Sequence, residues 1–411
     1  MNDLAKIIEN NWKKTVRNDP PRVSFEDTGM IPLPYPYTSP TIDNYFSELF
    51  YWDTYFTNVG LLISGEFQMA IYNVENIAHL IDKYGYMPNG SHAKYLGRSQ
   101  PPFFSLMVRD IYEKTADRDF LLRMYTTVER EYEFWQTKRM TESGLNQYLH
   151  SLNRDDKTDV LRHCEYLCSR HHIDVPETEE ERYNFAQCII INCESGWDCT
   201  SRMGLEPYNF AHIDLNSLLY GVEKNMEYFA AELGNGEEKL WRERSEGRAN
   251  LVKSLCKNGR GFFSDYNFNK NKASDFLSVA SFYPLFVGMT TQEEADETIK
   301  LLPLLEFEFG VAASEKRDDL MDLQWDYPFA WPCLHFIICT ALIKYGYRDD
   351  ALRIAKKYIY LVDKNYETMG DIFEKYEIIE GRAIKSKENK ILHPMMGWSA
   401  GVYLWCKKLL S

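Results

Sequence analysis

The chain has no apolar run of about 18 residues or more, so no transmembrane helix is expected. Basic stripes are missing too. Lys and Arg total 47 against 61 Asp and Glu, a formal charge of -14, which would repel a phosphate backbone. Neither a membrane nor a nucleic acid is an expected partner. Met1 to Pro20 mix Asn, Asp, Lys and Glu with apolar positions and lack the apolar segment of a secretory signal. No Pro/Ser-rich tract divides the chain, which predicts one domain over residues 1–411. The nine cysteines are an odd number, set mostly in apolar or helical stretches, so reduced thiols in a cytoplasm are expected. Alternating strands are scarce, with short candidates near Asn146–Tyr148 and Phe262–Asp265.

What the chain does have is helical periodicity. Ile77, Leu80, Ile81 and Tyr84 stand at i, i+3, i+4 and i+7. The spacing recurs at Ile338, Leu342 and Tyr345, and at Leu352, Ala355, Ile359 and Val362. Gly85, Gly144, Gly261, Gly310, Gly346 and Gly370 read as helix ends, where glycine relieves a left-handed turn. About six helical hairpins of roughly 60 to 70 residues would fill this length, and closed into a ring they would gather their loops around one mouth. Residues 154–181 are charged and poorly periodic, which predicts an inserted lid loop.

The loops carry the chemistry. Gln324 to Pro332 (QWDYPFAWP) holds two Trp, an Asp, a Gln and two Pro. Proline inside a helix costs about 3 kcal/mol, so this stretch reads as a rigid loop. Indole faces suit the apolar face of a pyranose, and amides and carboxylates suit its hydroxyls. Three more polar-aromatic islands lie at Glu48–Phe56, at Pro88–Gly90 leading into Arg98–Phe103, and at Glu194–Arg202. Glycoside hydrolysis needs a proton donor and a second carboxylate on opposite sides of the scissile bond. Asp53, Asp198, Asp326 and Glu374 all sit beside aromatics in expected loops, and composition alone does not rank them. A lone Asp is more often a helix cap or a surface ion pair. His163, Cys164, Cys168, His171 and His172 crowd together, but their spacing is not that of a zinc finger. No metal and no cofactor are expected.

At these islands the chain resembles the trehalases, the inverting enzymes of glycoside hydrolase family 37. Their signatures are approximately PGGRFxExYxWDxY and QWDxPxxWPP; this chain reads YFSELFYWDTYF from Tyr45 and QWDYPFAWPC from Gln324. PNG at Pro88, RSQPPFF at Arg98, SGWDCTSR at Ser195, DLNSLLY at Asp214, EKYE at Glu374 and GWSAGV at Gly397 follow in the family's order. The resemblance implies an all-α (α/α)6 toroid, in agreement with the hairpin count. It implies Asp198 as general acid and Glu374 as general base, roughly 6.5 to 9.5 Å apart to admit a water. It further implies that Phe46, Trp52, Asp53, Asn89, Arg98, Gln100, Gly196, Trp197, Arg202, Gln324, Trp325, Asp326, Trp331 and Trp398 line the sugar site. The expected partner is a small-molecule α-glucoside, and the expected assembly is a monomer or homodimer.

The chain also departs from the family. Thr41-Ile42-Asp43-Asn44 replaces PGG, and Tyr45 stands where the family has Arg. NGNRSYY becomes Asn89-Gly90-Ser91-His92-Ala93-Lys94-Tyr95, losing another Arg. RPESY becomes Arg162-His163-Cys164-Glu165-Tyr166, and the family's GEY falls within Lys385–His393, where Glu388 is the nearest acid. These changes keep two alternatives open: a family-63-like hydrolase of glucosylglycerate, mannosylglycerate or an α-glucosyl oligosaccharide, and a sugar-binding protein without catalysis.

Overall fold

The computed structural model describes residues 4–17, 29–43, 45–149, 164–165, 168, 174–320, 323–385, 392–394 and 396–411. Its helices, in chain order, are α1 (Leu4–Thr15), α2 (Tyr51–Ile63), α3 (Phe67–Tyr84), α4 (Phe104–Thr115), α5 (Arg118–Lys138), α6 (Glu179–Ser195) and α7 (Ile213–Leu233). They continue as α8 (Glu238–Leu255), α9 (Tyr283–Phe286), α10 (Gln292–Ile299), α11 (Pro332–Lys344), α12 (Arg348–Met369) and α13 (Trp398–Leu410).

Residue pattern sorts these helices into two layers. α11 is buried without a break from Pro332 to Cys339, and α2 likewise from Thr54 to Leu61. Such all-round apolar helices belong in an interior. α12 instead buries one stripe, Ala351, Ile354, Ala355, Tyr358, Ile359 and Val362, and turns its charges outward. Among the described residues, α2, α4, α7, α9, α11 and α13 each pack on the next, and α13 packs back on α2. The α2–α13 crossing is backbone to backbone: a Cβ on Gly401 would stand 2.1 Å from the Phe56 carbonyl oxygen. Around this ring lie α3, α5, α8, α10 and α12, alternating with the inner helices along the chain, while α1 covers α13. The architecture is an (α/α)6 toroid. Because an outer helix returns the chain each time, the inner helices run the same way and begin at one mouth.

Two expectations need adjustment. Gly85 and Gly370 do close α3 and α12 in the left-handed conformation. Gly144 and Gly261 instead lie in tight reversals closed by the Met140–Asn146 and Lys257–Phe263 bridges, and Gly310 opens a two-residue strand. Helix ends and tight turns both demand a positive φ, so glycine alone does not tell them apart. The insertion expected over 154–181 lies mostly outside the described residues. Its described end opens α6, where Thr178 and Glu181 form a reciprocal cap.

Candidate active site

Four of the loops that enter inner helices carry the islands and a fifth carries Glu374, and backbone hydrogen bonds lace them together. Tyr51 N–H at the start of α2 donates to Asn89 O (3.1 Å), and Trp325 N–H donates to Cys199 O (3.3 Å). Phe329 and Ala330 pair antiparallel with Glu377 and Tyr376, which docks the Gln324 loop on the Glu374 loop. Glu374 N–H donates to His393 O (3.2 Å), tying in the segment before α13.

Beneath these loops five tryptophans form one cluster. Trp325 and Trp331 stack in parallel at 3.8 Å, Trp197 and Trp52 flank Trp325 at 5.2 and 5.7 Å, and Trp398 meets Trp52 and Trp331 edge-on. Gly196 ends α6 at φ 75°, and a Cβ there would stand 2.7 Å from Trp52 Cζ2, so only glycine lets the loop bearing Asp198, termed the acid loop for its carboxyl, settle on that indole. The Trp197 and Trp398 Nε1–H groups and Arg98 Nε are buried donors without a protein acceptor. Such groups suit a hydroxyl-rich ligand.

Asp198 and Glu374 are half-buried. Gln324 bridges their loops: its Nε2 donates to Asp198 O (3.1 Å), and its Oε1 accepts from Lys375 Nζ (3.2 Å). Lys375 Nζ also donates to Glu374 Oε2 (3.1 Å). Asp53 sits with both acids. Enclosure in the protein pushes its carboxyl up to about 7, and the charges of Glu374 and Asp198 add to the rise. The unfolded carboxyl titrates near 3.8, so the native state keeps an extra proton between those values and stability falls as pH rises through that window. Asp53→Asn, which cannot ionise, is expected to raise Tm above wild type at about pH 8 and to lose the advantage near pH 3.8. A Tm difference independent of pH would count against this placement of Asp53.

Other residues expected at the sugar also hold the scaffold together. Gln100 Oε1 accepts the Trp52 N–H (3.2 Å), and Asn89 Nδ2 reaches Ser99 O and Cys193 O (3.3 and 3.2 Å). Asp326 is wholly buried and takes Ser201 N–H (2.8 Å), Ser201 Oγ–H (2.6 Å) and Leu323 N–H (3.2 Å). Arg202 lies under Trp197, clamped by Asp214 (2.7 and 3.1 Å) and Asp265 (2.5 and 2.7 Å). Both brace the acid loop from below. Phe46 touches Tyr45, Phe50 and His393 at the rim, and Arg98 lies over the Tyr95 ring. Tyr45, in place of the family's Arg, is exposed and stacks on His393 at 3.8 Å.

Sequence reasoning missed Lys375, though EKYE contains it, and missed the buried Arg139–Glu194 pair. Glu194, four residues before Asp198, also accepts the Ser99 and Leu149 N–H groups (2.7 and 2.6 Å). Its only signal was its place in the third island. Among the described residues no group of three or more His, Cys, Asp or Glu is arranged to hold a metal. His163, His171, His172 and Glu388 lie outside the described residues. No described helix is long and apolar enough to cross a membrane.

An (α/α)6 ring with carboxylates above tryptophans at its mouth defines a class, the glycoside hydrolases that act on small-molecule sugars. A family model described as Trehalase matches residues 1–410, and the chain belongs to the trehalase family. It is 29% identical to a periplasmic trehalase of Pseudomonas aeruginosa, covering 99% of this chain and 76% of that one. The periplasmic trehalase of Escherichia coli O1:K1 is also 29% identical, over 98% of this chain and 73% of that protein. The neutral trehalase Nth1 from Saccharomyces cerevisiae superposes with a TM-score of 0.78 at 25% identity, covering 99% of this chain and 80% of that one. A mannosylglycerate hydrolase from Thermus thermophilus shares the fold, with a TM-score of 0.63 at 16% identity over 90% of this chain and 95% of that one.

The relatives correct one expectation. The bacterial sequence relatives, those of Pseudomonas aeruginosa and Escherichia coli among them, are named periplasmic trehalases, which overturns the cytoplasmic location inferred from the cysteines. The physical reason lies in burial: eight of the nine cysteines are buried. Burial pushes the Cys188 thiol up to about 12 and holds others high. Thiols shielded in this way stay reduced without a reducing compartment.

Proposed function

We propose that this chain hydrolyses trehalose in one step with inversion, as a single catalytic domain. Asp198 protonates the glycosidic oxygen as general acid. Glu374 takes a proton from a water that attacks the anomeric carbon from the opposite face. The tryptophan cluster supports the apolar face of the sugar, and the unpaired Trp197, Trp398 and Arg98 donors meet its hydroxyls. One observation carries this reading: acids far apart in sequence converge on Asp53 and share the Gln324 bridge. Retention of both acids favours catalysis over sugar binding alone, and the likeness to mannosylglycerate hydrolase carries the fold but not the substrate.

Proton NMR during early turnover of trehalose tests it. Inversion at the attacked carbon yields one β-glucose, and the departing sugar is released as α-glucose, so the two should form in equal amounts. Two α-glucoses would indicate retention and refute the mechanism. No release of glucose from trehalose, with cleavage of a glycosylated small acid, would refute the substrate.

A further inference from the structure

We propose that Lys375 is a positioning residue that holds the Glu374 carboxylate and, through Gln324, sets the distance between the base loop and the acid loop. This rests on the assignment of Asp198 and Glu374 made above. The Lys375 side chain is only 5% exposed, and its ammonium has a complete set of partners. Glu374 Oε2 lies at 3.1 Å, Gln324 Oε1 at 3.2 Å, and the Trp331 ring centre at 4.9 Å. A buried cation is costly to desolvate, so a chain that keeps one there must satisfy it on every side. Neighbouring residues of an extended strand point to opposite faces. The bend at Glu374, just before the strand at Tyr376, lets two successive side chains meet.

Gln324 makes the arrangement directional. An ammonium only donates, so it must face the carbonyl end of the Gln324 amide. The NH2 end then has to face Asp198 O, while the Gln324 backbone oxygen accepts Trp331 Nε1–H at 2.9 Å. The cation thus orients an amide that spans from one catalytic loop to the other. Its charge also acts where Asp53, Asp198 and Glu374 crowd together, beside the His393 imidazole from the segment before α13. Like charges at close range favour protonation, and a cation at hydrogen-bond distance opposes it. A base must be unprotonated to accept a proton from water.

The test is the pH dependence of kcat/KM on trehalose for Lys375→Met, Lys375→Arg and Glu374→Gln, with circular dichroism to establish folding. Removing an opposite charge this close moves a carboxylate by about 1 unit or more. Lys375→Met is expected to shift the acid limb upward by about 1 pH unit and to lower kcat more than it raises KM. Lys375→Arg is expected to return the limb to within about 0.3 unit of wild type, because the charge is kept. A folded Lys375→Met with an unmoved limb overturns the proposal. If that variant does not fold, a limb displaced by a full unit in Lys375→Arg overturns it instead. Near-normal turnover by Glu374→Gln overturns the underlying assignment and is seen separately.

Discussion

Glu374→Gln and Asp198→Asn are each expected to lower kcat on trehalose by at least about 100-fold, the usual scale of losing a general base or acid. The two losses separate on a different substrate. An α-glucosyl fluoride releases a stable anion and needs no protonation, so the acid is dispensable there while activation of water is not. Asp198→Asn should regain most of its rate on the fluoride, and Glu374→Gln should remain slow. The polar atoms around the two carboxyls predict small changes in KM. Gln324 meets the backbone oxygen of Asp198, which survives the substitution. An amide at position 374 keeps one oxygen that can still accept from Lys375. Equal rescue of both variants by fluoride would mean that the roles are wrongly divided, and full activity in both would remove these carboxyls from the reaction.

Arg202→Met is expected to destabilise the fold by about 3–5 kcal/mol, the usual cost of leaving buried charges without their partner. Asp214 and Asp265 both clamp this guanidinium, and all three side chains are at most 4% exposed. Asp265 also accepts the Ile213 N–H (2.9 Å) at the start of α7, so the clamp joins the acid loop to an inner helix. Urea denaturation followed by circular dichroism measures the loss. Adding Asp214→Asn should recover part of it, because the second substitution removes one orphaned charge and the pair is coupled. A single variant as stable as wild type would mean that water reaches these carboxylates. The activity that remains per folded molecule reports how far the acid loop depends on this anchor.

Arg202 also illustrates the limits of reading residues by neighbourhood. Its place four residues after Asp198 suggested the sugar, and its partners Asp214 and Asp265 come from outside the islands. Asp326 is similar: a carboxylate between Trp325 and Tyr327 reads as a ligand group, yet its oxygens hold Ser201 and Leu323. Lys375 escaped notice because a lysine beside a glutamate is usually a solvated pair. Its importance comes from burial, which no single sequence displays. The cysteines misled for a related reason, since number and parity do not reveal whether a thiol can be reached.

By itself, the sequence determined the helical layers, the loops that bear chemistry and the family. These rest on local spacing: apolar stripes at helical intervals, proline where a helix cannot run, and motifs kept in order. Only the tertiary structure decided which acids share a space, which arginine and aspartate lie below it, and which lysine bridges its two sides. Those facts depend on ring closure. When α13 packs back on α2, segments from opposite ends of the chain meet at one mouth, and the field and burial each group feels are set by neighbours far away in sequence.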